Sequence, residues 1–274
     1  MFDIITIGSA TRDVFLKSSA WKIKEDPTSP TGFEQCLPFG SKVPIEEIAF
    51  TTGGGATNTA VTFARLGQLR TATVCRIGSQ DTGGQAVVHD LRHDRIAADF
   101  VQQDKKLHTG YSMILLSDKG ERTILVHRGA SDRIAPKDIP WGKIRAKWIY
   151  VSSLGVDLAL FKKILAHAQK VGAKVAWNPG SSEIEAGWPT IAPLARCCAV
   201  FNVNREEAAA LLRIDPKNLT NILGTLCGKT SNACAISGYV LLTDGAGGAY
   251  VCDGTTTTHI ASRNLTVINS TGAG

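Results

Sequence analysis

Apolar and polar residues alternate with two different periods along this chain, and each period predicts its own kind of secondary structure. Ala60, Phe63, Ala64 and Gly67 recur at spacings of three and four, which predicts a helix closed by a terminal glycine. Helices are also predicted over 83–92, 157–170, 204–213 and 218–228. Short apolar runs predict two strands around Gly8-Ser9, and then strands over 71–77, 99–102, 111–117, 123–127, 147–151, 173–177, 199–201, 235–243, 248–252 and 256–260.

From residue 147 onwards the predicted strands and helices alternate regularly. This order requires a mostly parallel sheet that is covered by helices on both faces. We therefore predict an α/β fold, with residues 1–17 and 53–274 forming one main domain.

The stretch 18–52 interrupts this pattern, because Pro27, Pro30, Pro38 and Pro44 separate short apolar pieces. A structureless loop of that length is uncommon in a compact domain. We expect an excursion of a few strands that forms a lid, to which the strands at 99–127 add further members. Exposed strands in a lid often pair between two chains, which makes a homodimer through the lid an open option.

Charge and composition exclude several classes of function. The formal net charge is +6, but the basic residues are spread along the chain without the density of a nucleic-acid arm, and they suit an anionic small substrate equally well. No apolar run approaches the roughly 20 residues that span a bilayer, so no membrane association is expected. Met1 leads directly into a predicted strand, which favours a cytoplasmic location. The histidines and cysteines lack zinc spacing.

The glycine run before the first helix is the earliest candidate site. Gly53-Gly54-Gly55 lets backbone approach a ligand closely, with Asn58 near the helix start. The spacing differs from a dinucleotide fingerprint, because Asn58 stands where a third glycine should be and no acidic residue ends the next strand. A nicotinamide-dependent oxidoreductase and a turn without any ligand stay open as alternatives. A second near match, from Gly224 to Thr230, has one residue too few for a phosphate-binding P-loop.

Polar residues also follow predicted strands. Asp13 lies just after Gly8-Ser9, and is either a surface carboxylate or part of a ligand edge. Asn204 and Glu207 stand three residues apart at a helix start, after a parallel strand. They are explained by helix capping alone, or they hold Mg²⁺ through water, since hard oxygen ligands suit that ion.

The chain ends in Thr271-Gly272-Ala273-Gly274, a small-residue turn of the type that opens a helix. Unpaired backbone N–H groups at such a turn bind a developing negative charge on a phosphoryl group or an oxyanion.

These segments, and the order in which they follow one another, resemble those of the ribokinase, or PfkB, family of sugar and nucleoside kinases. The resemblance is carried by six segments: 53–67, 76–84, Asn178-Pro179-Gly180, Asn204-x-x-Glu207, 241–249 and the terminal 271–274. It implies a ribokinase-like three-layer α/β/α fold with a mostly parallel central sheet and a small β lid. It also implies ATP-dependent phosphorylation of a hydroxymethyl group of a sugar or nucleoside.

The resemblance implies roles for individual residues. Asp13, Gly54 and Asn58 would hold substrate hydroxyls. The cofactor-binding residues would be Asn204 and Glu207, which organise Mg²⁺ through water, and Thr243, Gly245 and Gly248, which line the ATP site. Gly272, Ala273 and Gly274 would form the anion hole for the transferring phosphoryl group.

Departures from the family pattern limit what the resemblance implies. The family places a catalytic aspartate after the final glycine, and the sequence ends at Gly274, so we expect a C-terminally truncated kinase that is inactive or nearly so. Asn269 replaces an aspartate that lies near a monovalent-cation site in the family, so activation by a monovalent cation is not implied. Gly55 and Thr11 replace a lysine and an asparagine of ribokinases, so the resemblance does not identify ribose as the substrate. A non-catalytic sugar- or nucleoside-binding protein is the second hypothesis.

Overall fold

A computed structural model of the 274-residue chain describes residues 1–29, 32–117, 122–155, 157–228, 236 and 238–263. Its largest element is an eight-stranded sheet in the order β16-β15-β14-β13-β12-β11-β1-β6. The six strands from β14 to β6 run parallel, and β15 and β16 add an antiparallel edge. The strands of this core sheet are β1 (Phe2–Ile7), β6 (Thr71–Val74), β11 (Ala146–Val151), β12 (Lys174–Trp177), β13 (Val200–Asn204), β14 (Tyr239–Thr243), β15 (Ala249–Cys252) and β16 (Thr257–Ile260).

Seven α-helices accompany these strands in the described part of the chain. They are α1 (Gly55–Arg65), α2 (Thr82–His93), α3 (Leu158–Val171), α4 (Ser181–Glu185), α5 (Trp188–Ala195), α6 (Arg205–Leu212) and α7 (Leu219–Leu226). The helix α3 shows why such segments fold: Asp157 caps it by accepting from Leu160 N at 2.8 Å, and Gly172 ends it with a φ of 72°. Its apolar residues return every three to four positions and are buried against the sheet.

The core sheet has helices on both faces, as consecutive residues of β11 demonstrate. Tyr150 makes an edge contact with Phe63 of α1, at a ring-centroid distance of 5.5 Å. Its neighbour Val151 joins the buried core that contains Phe161 of α3. Because adjacent side chains of a strand point to opposite faces, α1 and α3 cover opposite sides of the sheet. The predicted α/β class with a mostly parallel central sheet is confirmed.

A second sheet of four strands stands beside the core sheet, in the order β10-β9-β2-β5. Its strands are β2 (Thr11–Lys17), β5 (Glu47–Gly53), β9 (Gly110–Leu116) and β10 (Arg122–His127). The segment 1–17 was predicted to belong to the core domain, and its second strand, β2, pairs with β5 and β9 of this smaller sheet. The alternation of apolar residues identifies β2 as a strand but does not identify its neighbours. A separate hairpin, β3 (Lys22–Glu25) and β4 (Phe33–Cys36), lies within the predicted 18–52 excursion.

Two strand predictions need correction. The run 71–77 was predicted as one strand, but it divides at Cys75 into β6 and β7 (Arg76–Gly78), which lie in different sheets. The predicted strand 99–102 forms as β8 (Gln102–Asp104), which pairs with β7 and not with the four-stranded sheet. The helices α4 and α5 were not predicted at all. None of the helices in the described ranges is both long and apolar enough to cross a membrane.

Candidate functional site

The glycine run packs directly against the end of β1. Gly54 caps α1 with a φ of 103°, and a Cβ there would lie 2.5 Å from the carbonyl oxygen of Ser9, so the position requires glycine. Gly55 N donates to Ser9 Oγ at 2.9 Å, and Ala56 N donates to Ser9 O at 3.0 Å. The two amides that would meet a pyrophosphate are therefore already hydrogen-bonded, which argues against the dinucleotide alternative.

Asp13 projects from β2 at the base of the four-stranded sheet. Its Oδ1 accepts from Thr11 Oγ1 at 2.8 Å. Its Oδ2 lies against Gly53, where a Cβ would come within 1.9 Å of that oxygen. Asp13 and Asn58 line one cavity of about 440 Å³, together with residues of β5, α1 and α2. The structure thus brings two of the three predicted substrate-binding residues to one cavity, and Gly54 lies in the turn between β5 and α1.

Asn204 and Glu207 form a reciprocal cap at the start of α6. Asn204 Oδ1 accepts from Glu207 N at 2.8 Å, and Glu207 Oε2 accepts from Asn204 N at 2.9 Å. Burial raises the pKa of Glu207, although the hydrogen bond from Asn204 N opposes the shift. One carboxylate and one amide suit Mg²⁺ held through water, because that ion keeps several of its own waters. Across the described ranges, no cluster of three or more histidine, cysteine, aspartate or glutamate side chains forms a metal site.

Thr243, Gly245 and Gly248 surround the turn after β14. Thr243 stands beside Asn204 in the register of β13 and β14. A 3₁₀ turn follows over Gly245–Gly247, and Gly248 has a φ of 91° where a Cβ would lie 2.2 Å from Ile260 O. The predicted nucleotide residues therefore lie next to the Asn204 and Glu207 cap, at the carboxyl ends of neighbouring parallel strands. Such ends are where open α/β sheets bind ligands.

An ion pair that the sequence analysis missed connects α6 to this turn. Arg205 Nη1 contacts both carboxylate oxygens of Asp244 at 3.1 Å, and Arg205 Nε donates to Pro216 O at 2.6 Å. The Asp244 side chain is only 14% exposed. The pair therefore fixes the start of α6 relative to the glycine turn.

Glu183 is a second residue that the sequence analysis missed. Its carboxylate accepts from Leu154 N at 2.7 Å, from Gly180 N at 3.1 Å and from Ser153 Oγ at 3.1 Å. The residue is 2% exposed, and this burial raises its pKa despite the hydrogen bonds. It joins the loop after β11 to the loop after β12. A glutamate three residues after Gly180 is the spacing of a helix cap, which is the signal that could have identified it.

The predicted anion hole, Gly272, Ala273 and Gly274, lies outside the described residues. The remaining site residues form two groups, one around Asp13 and Asn58 and one around Asn204 and Thr243. Asn204 and Thr243 lie at the carboxyl ends of the core strands β13 and β14. Asp13 lies on β2, which follows the core strand β1, and Asn58 lies on α1. The first group lines a cavity that suits a polar molecule. The second group, a few strands away, has a glycine turn beside the capped start of α6.

Comparison with known families identifies this arrangement. The model of the pfkB family carbohydrate kinases matches residues 4–274. The chain belongs to this family. Ribokinase from Mus musculus is 25% identical over 240 residues, which cover 86% of this chain and 71% of the mouse protein. Ribokinase from Schizosaccharomyces pombe is 25% identical over 230 residues, which cover 81% of this chain and 66% of the yeast protein.

Solved structures of a ribokinase and an adenosine kinase share the fold. Ribokinase from Arabidopsis thaliana, complexed with ribose and ATP, has a TM-score of 0.72 at 18% identity, and the match covers 95% of this chain and 78% of the plant chain. Adenosine kinase from Sinorhizobium meliloti has a TM-score of 0.76 at 19% identity, over 98% of this chain and 83% of that chain. The expected ribokinase-like fold with an α/β/α arrangement is therefore confirmed.

Proposed function

We propose that this pfkB-family chain carries the substrate and nucleotide sites of an ATP-dependent kinase acting on a hydroxymethyl group of a sugar or nucleoside. The observation that carries the proposal is the cavity shared by Asp13 and Asn58, at the base of the four-stranded sheet. A carboxylate and an amide in one polar cavity suit a polyhydroxylated ligand. The similarity to a ribokinase complexed with ribose and ATP, and to an adenosine kinase, supports both substrate classes.

In this proposal the substrate hydroxyls bind Asp13, Gly54 and Asn58. The four-stranded sheet covers the substrate and excludes water, which suppresses transfer of the phosphoryl group to water. The nucleotide lies along Thr243, Gly245 and Gly248. The substrate hydroxyl would attack the γ-phosphorus in line, the bond between that phosphorus and the bridging oxygen would break so that ADP leaves, and the hydroxyl proton would pass to a general base.

Two residues would organise the metal that accompanies the nucleotide. Asn204 and Glu207 would hold Mg²⁺ through water, and the ion would neutralise charge on the phosphates. Gly272, Ala273 and Gly274 would donate backbone N–H groups to the transferring phosphoryl group.

Calorimetric titrations test the proposal. We expect ATP with Mg²⁺ to bind, and at least one of D-ribose, D-fructose and adenosine to bind with an affinity that Asp13→Ala lowers and that Glu185→Ala, an exposed control, leaves unchanged. Binding of NAD in place of ATP would refute the kinase proposal. A coupled assay of ADP release tests whether residues 1–274 transfer phosphate. We expect binding without transfer, because the implied general base is not among these residues, and measurable transfer would contradict that expectation.

We also propose that two copies of the chain pair through the four-stranded sheet. Phe50, Val14, Met113 and Leu125 form one row across its four strands, on the same side of the sheet. Val14 is buried at 4% exposure, but Phe50, Met113 and Leu125 are 54%, 40% and 51% exposed, which is high for apolar side chains and typical of a surface that another protein covers. Light scattering should give the mass of a dimer, and Leu125→Lys should give the mass of a monomer. A monomeric wild-type chain at micromolar concentration would refute this pairing.

A further inference from the structure

The four-stranded sheet is attached to the rest of the molecule mainly at one end. Along β5, the residues from Glu47 to Thr51 are exposed, Thr52 is half-buried and Gly53 is buried. The far end is joined across β2 and β5 by an ion pair between Lys17 and Glu47, whose side chains are 41% and 70% exposed. The attached end is the one that carries Asp13 and leads into Gly54.

A single carboxylate of α2 binds both strands at this attached end. Asp90 Oδ2 accepts from Thr52 Oγ1 at 2.6 Å and from Arg12 Nη1 at 3.0 Å. Arg12 and Thr52 are paired in the register of β2 and β5. The Arg12 guanidinium also lies 5.8 Å from the centroid of the Phe50 ring, and its side chain is only 17% exposed. The cluster of Asp90, Arg12, Thr52 and Phe50 therefore connects two strands to one helix through a charge-assisted hydrogen bond and a cation–π contact.

The position of the cluster relates it to the substrate cavity. Arg12 immediately precedes Asp13, and Thr52 stands two residues before Gly54. The carboxylate of Asp13 lies against Gly53, so a shift of β5 relative to β2 would change the contact between that carboxylate and the β5 backbone. Asp90 itself belongs to the lining of the cavity that holds Asp13 and Asn58.

We propose that Asp90 is a positioning residue for substrate binding, which holds β2 and β5 on α2 so that Asp13 and Gly54 keep their places in the cavity. The inference rests on the proposed function, because it takes Asp13 and Gly54 as substrate-binding residues. A salt bridge that served general stability alone would contribute little, since partly exposed ion pairs add little to the stability of a fold. What distinguishes Asp90 is that it binds both strands beside the cavity.

The test compares three variants of the chain by calorimetry. Asp90→Ala removes both contacts, and Asp90→Asn keeps an acceptor for Thr52 while it removes the ion pair. Glu47→Gln is the matched control, because it removes an ion pair between the same two strands at their far end. The probes are D-ribose, D-fructose and adenosine, with MgATP titrated separately.

We expect Asp90→Ala to weaken the binding of whichever probe the wild type binds by about tenfold, equivalent to about 1.4 kcal/mol, and Asp90→Asn to have a smaller effect. MgATP affinity should stay within about twofold, a change of about 0.4 kcal/mol. Glu47→Gln should leave the affinity for the probe unchanged. Unchanged probe affinity in both Asp90 variants, or equal losses for the probe and MgATP, would overturn the proposal.

Hydrogen exchange provides a readout that needs no ligand. Asp90→Ala and Asp90→Asn should increase amide exchange at 11–14 and 51–54, and Glu47→Gln should not. If the wild type binds none of the three probes, the proposed substrate site fails, and hydrogen exchange then decides the role of Asp90. An unchanged exchange pattern in both Asp90 variants would overturn that role.

Discussion

Replacement of Gly55 by alanine tests how tightly the start of α1 packs against the end of β11. A Cβ at position 55 would lie 2.5 Å from Ser152 Oγ and 2.6 Å from Ser152 Cβ. Neither partner is free to retreat, because Gly55 N donates to Ser9 Oγ at 2.9 Å and Ser152 N donates to Ile7 O at 2.9 Å. Ser152 is only 5% exposed. The added methyl group therefore has no space unless the backbone moves.

The expected cost follows from two opposing terms. Overpacking of a filled interior costs about 1–3 kcal/mol. Alanine in place of glycine at a helical position stabilises the folded chain by about 0.5–1 kcal/mol, because the backbone entropy of the unfolded chain is lower. The net loss in the free energy of unfolding should be about 1–2 kcal/mol for Gly55→Ala, which lowers Tm by about 2–8 °C in a chain of this size.

The assay is thermal unfolding of four proteins: the wild type, Gly55→Ala, Ser152→Gly and the double variant. Because Ser152→Gly removes both atoms that the new Cβ would meet, only the favourable entropy term remains, and Gly55→Ala should stabilise that background by about 0.5–1 kcal/mol, with a coupling energy of about 2 kcal/mol. Gly142→Ala is the control, because a Cβ there meets no atom within 4 Å. Additive effects of the two substitutions, or a Gly55→Ala protein as stable as the wild type, would refute the reasoning.

Three further predictions follow from other contacts. Asp104 has its pKa lowered to about 2 by hydrogen bonds from backbone amides, so its stabilisation is complete above about pH 4 and is lost as the pH falls towards 2. The difference in Tm between the wild type and Asp104→Asn should shrink over that range, and a constant difference would contradict this. Arg205→Gln breaks the contact with Asp244 and should weaken MgATP binding about tenfold in calorimetry, since charge-assisted hydrogen bonds contribute about 1.5–3 kcal/mol; unchanged affinity would show that the pair does not order the turn. Glu183→Gln turns an amide donor towards backbone N–H groups and should cost about 1–3 kcal/mol in urea unfolding, whereas the exposed Glu185→Gln should cost almost nothing.

The sequence predicted most elements of the regular half of the fold, because most of them have a clear period. Residues after 147 alternate between apolar runs and helical spacings, and the strands β11 to β16 form within a few residues of the predicted bounds. Two helices in the same region, α4 and α5, were not predicted, and α5 has a physical reason. Pro189 and Pro193 both lie within α5, where a proline pattern normally indicates a turn, and burial of Ile191 and Leu194 outweighs that preference.

The sequence indicated which residues are candidates for the site, but it did not indicate which distant residues contact each other there. Asn204 and Glu207 could be identified from a cap spacing, since both partners lie within one helical turn. The contacts of Asp90 with Arg12 and Thr52 could not, because they join residues that are 78 and 38 positions apart. The register of β2 and β5, which brings Arg12 beside Thr52, depends on strand pairing, and that pairing is not encoded in either strand alone.

The position of β1 in the core sheet has a consequence for how the chain folds. β1 pairs with β11, so that Thr6 stands beside Tyr150, and more than half of the chain must be synthesised before this pair can form. All four strands of the smaller sheet, in contrast, come from the first 127 residues. Contacts between residues far apart in sequence form slowly, and domains emerge from the ribosome from the amino terminus. During synthesis the smaller sheet is therefore complete in sequence, and β1 already has β6 as one neighbour, before β11, the other neighbour of β1, has been made.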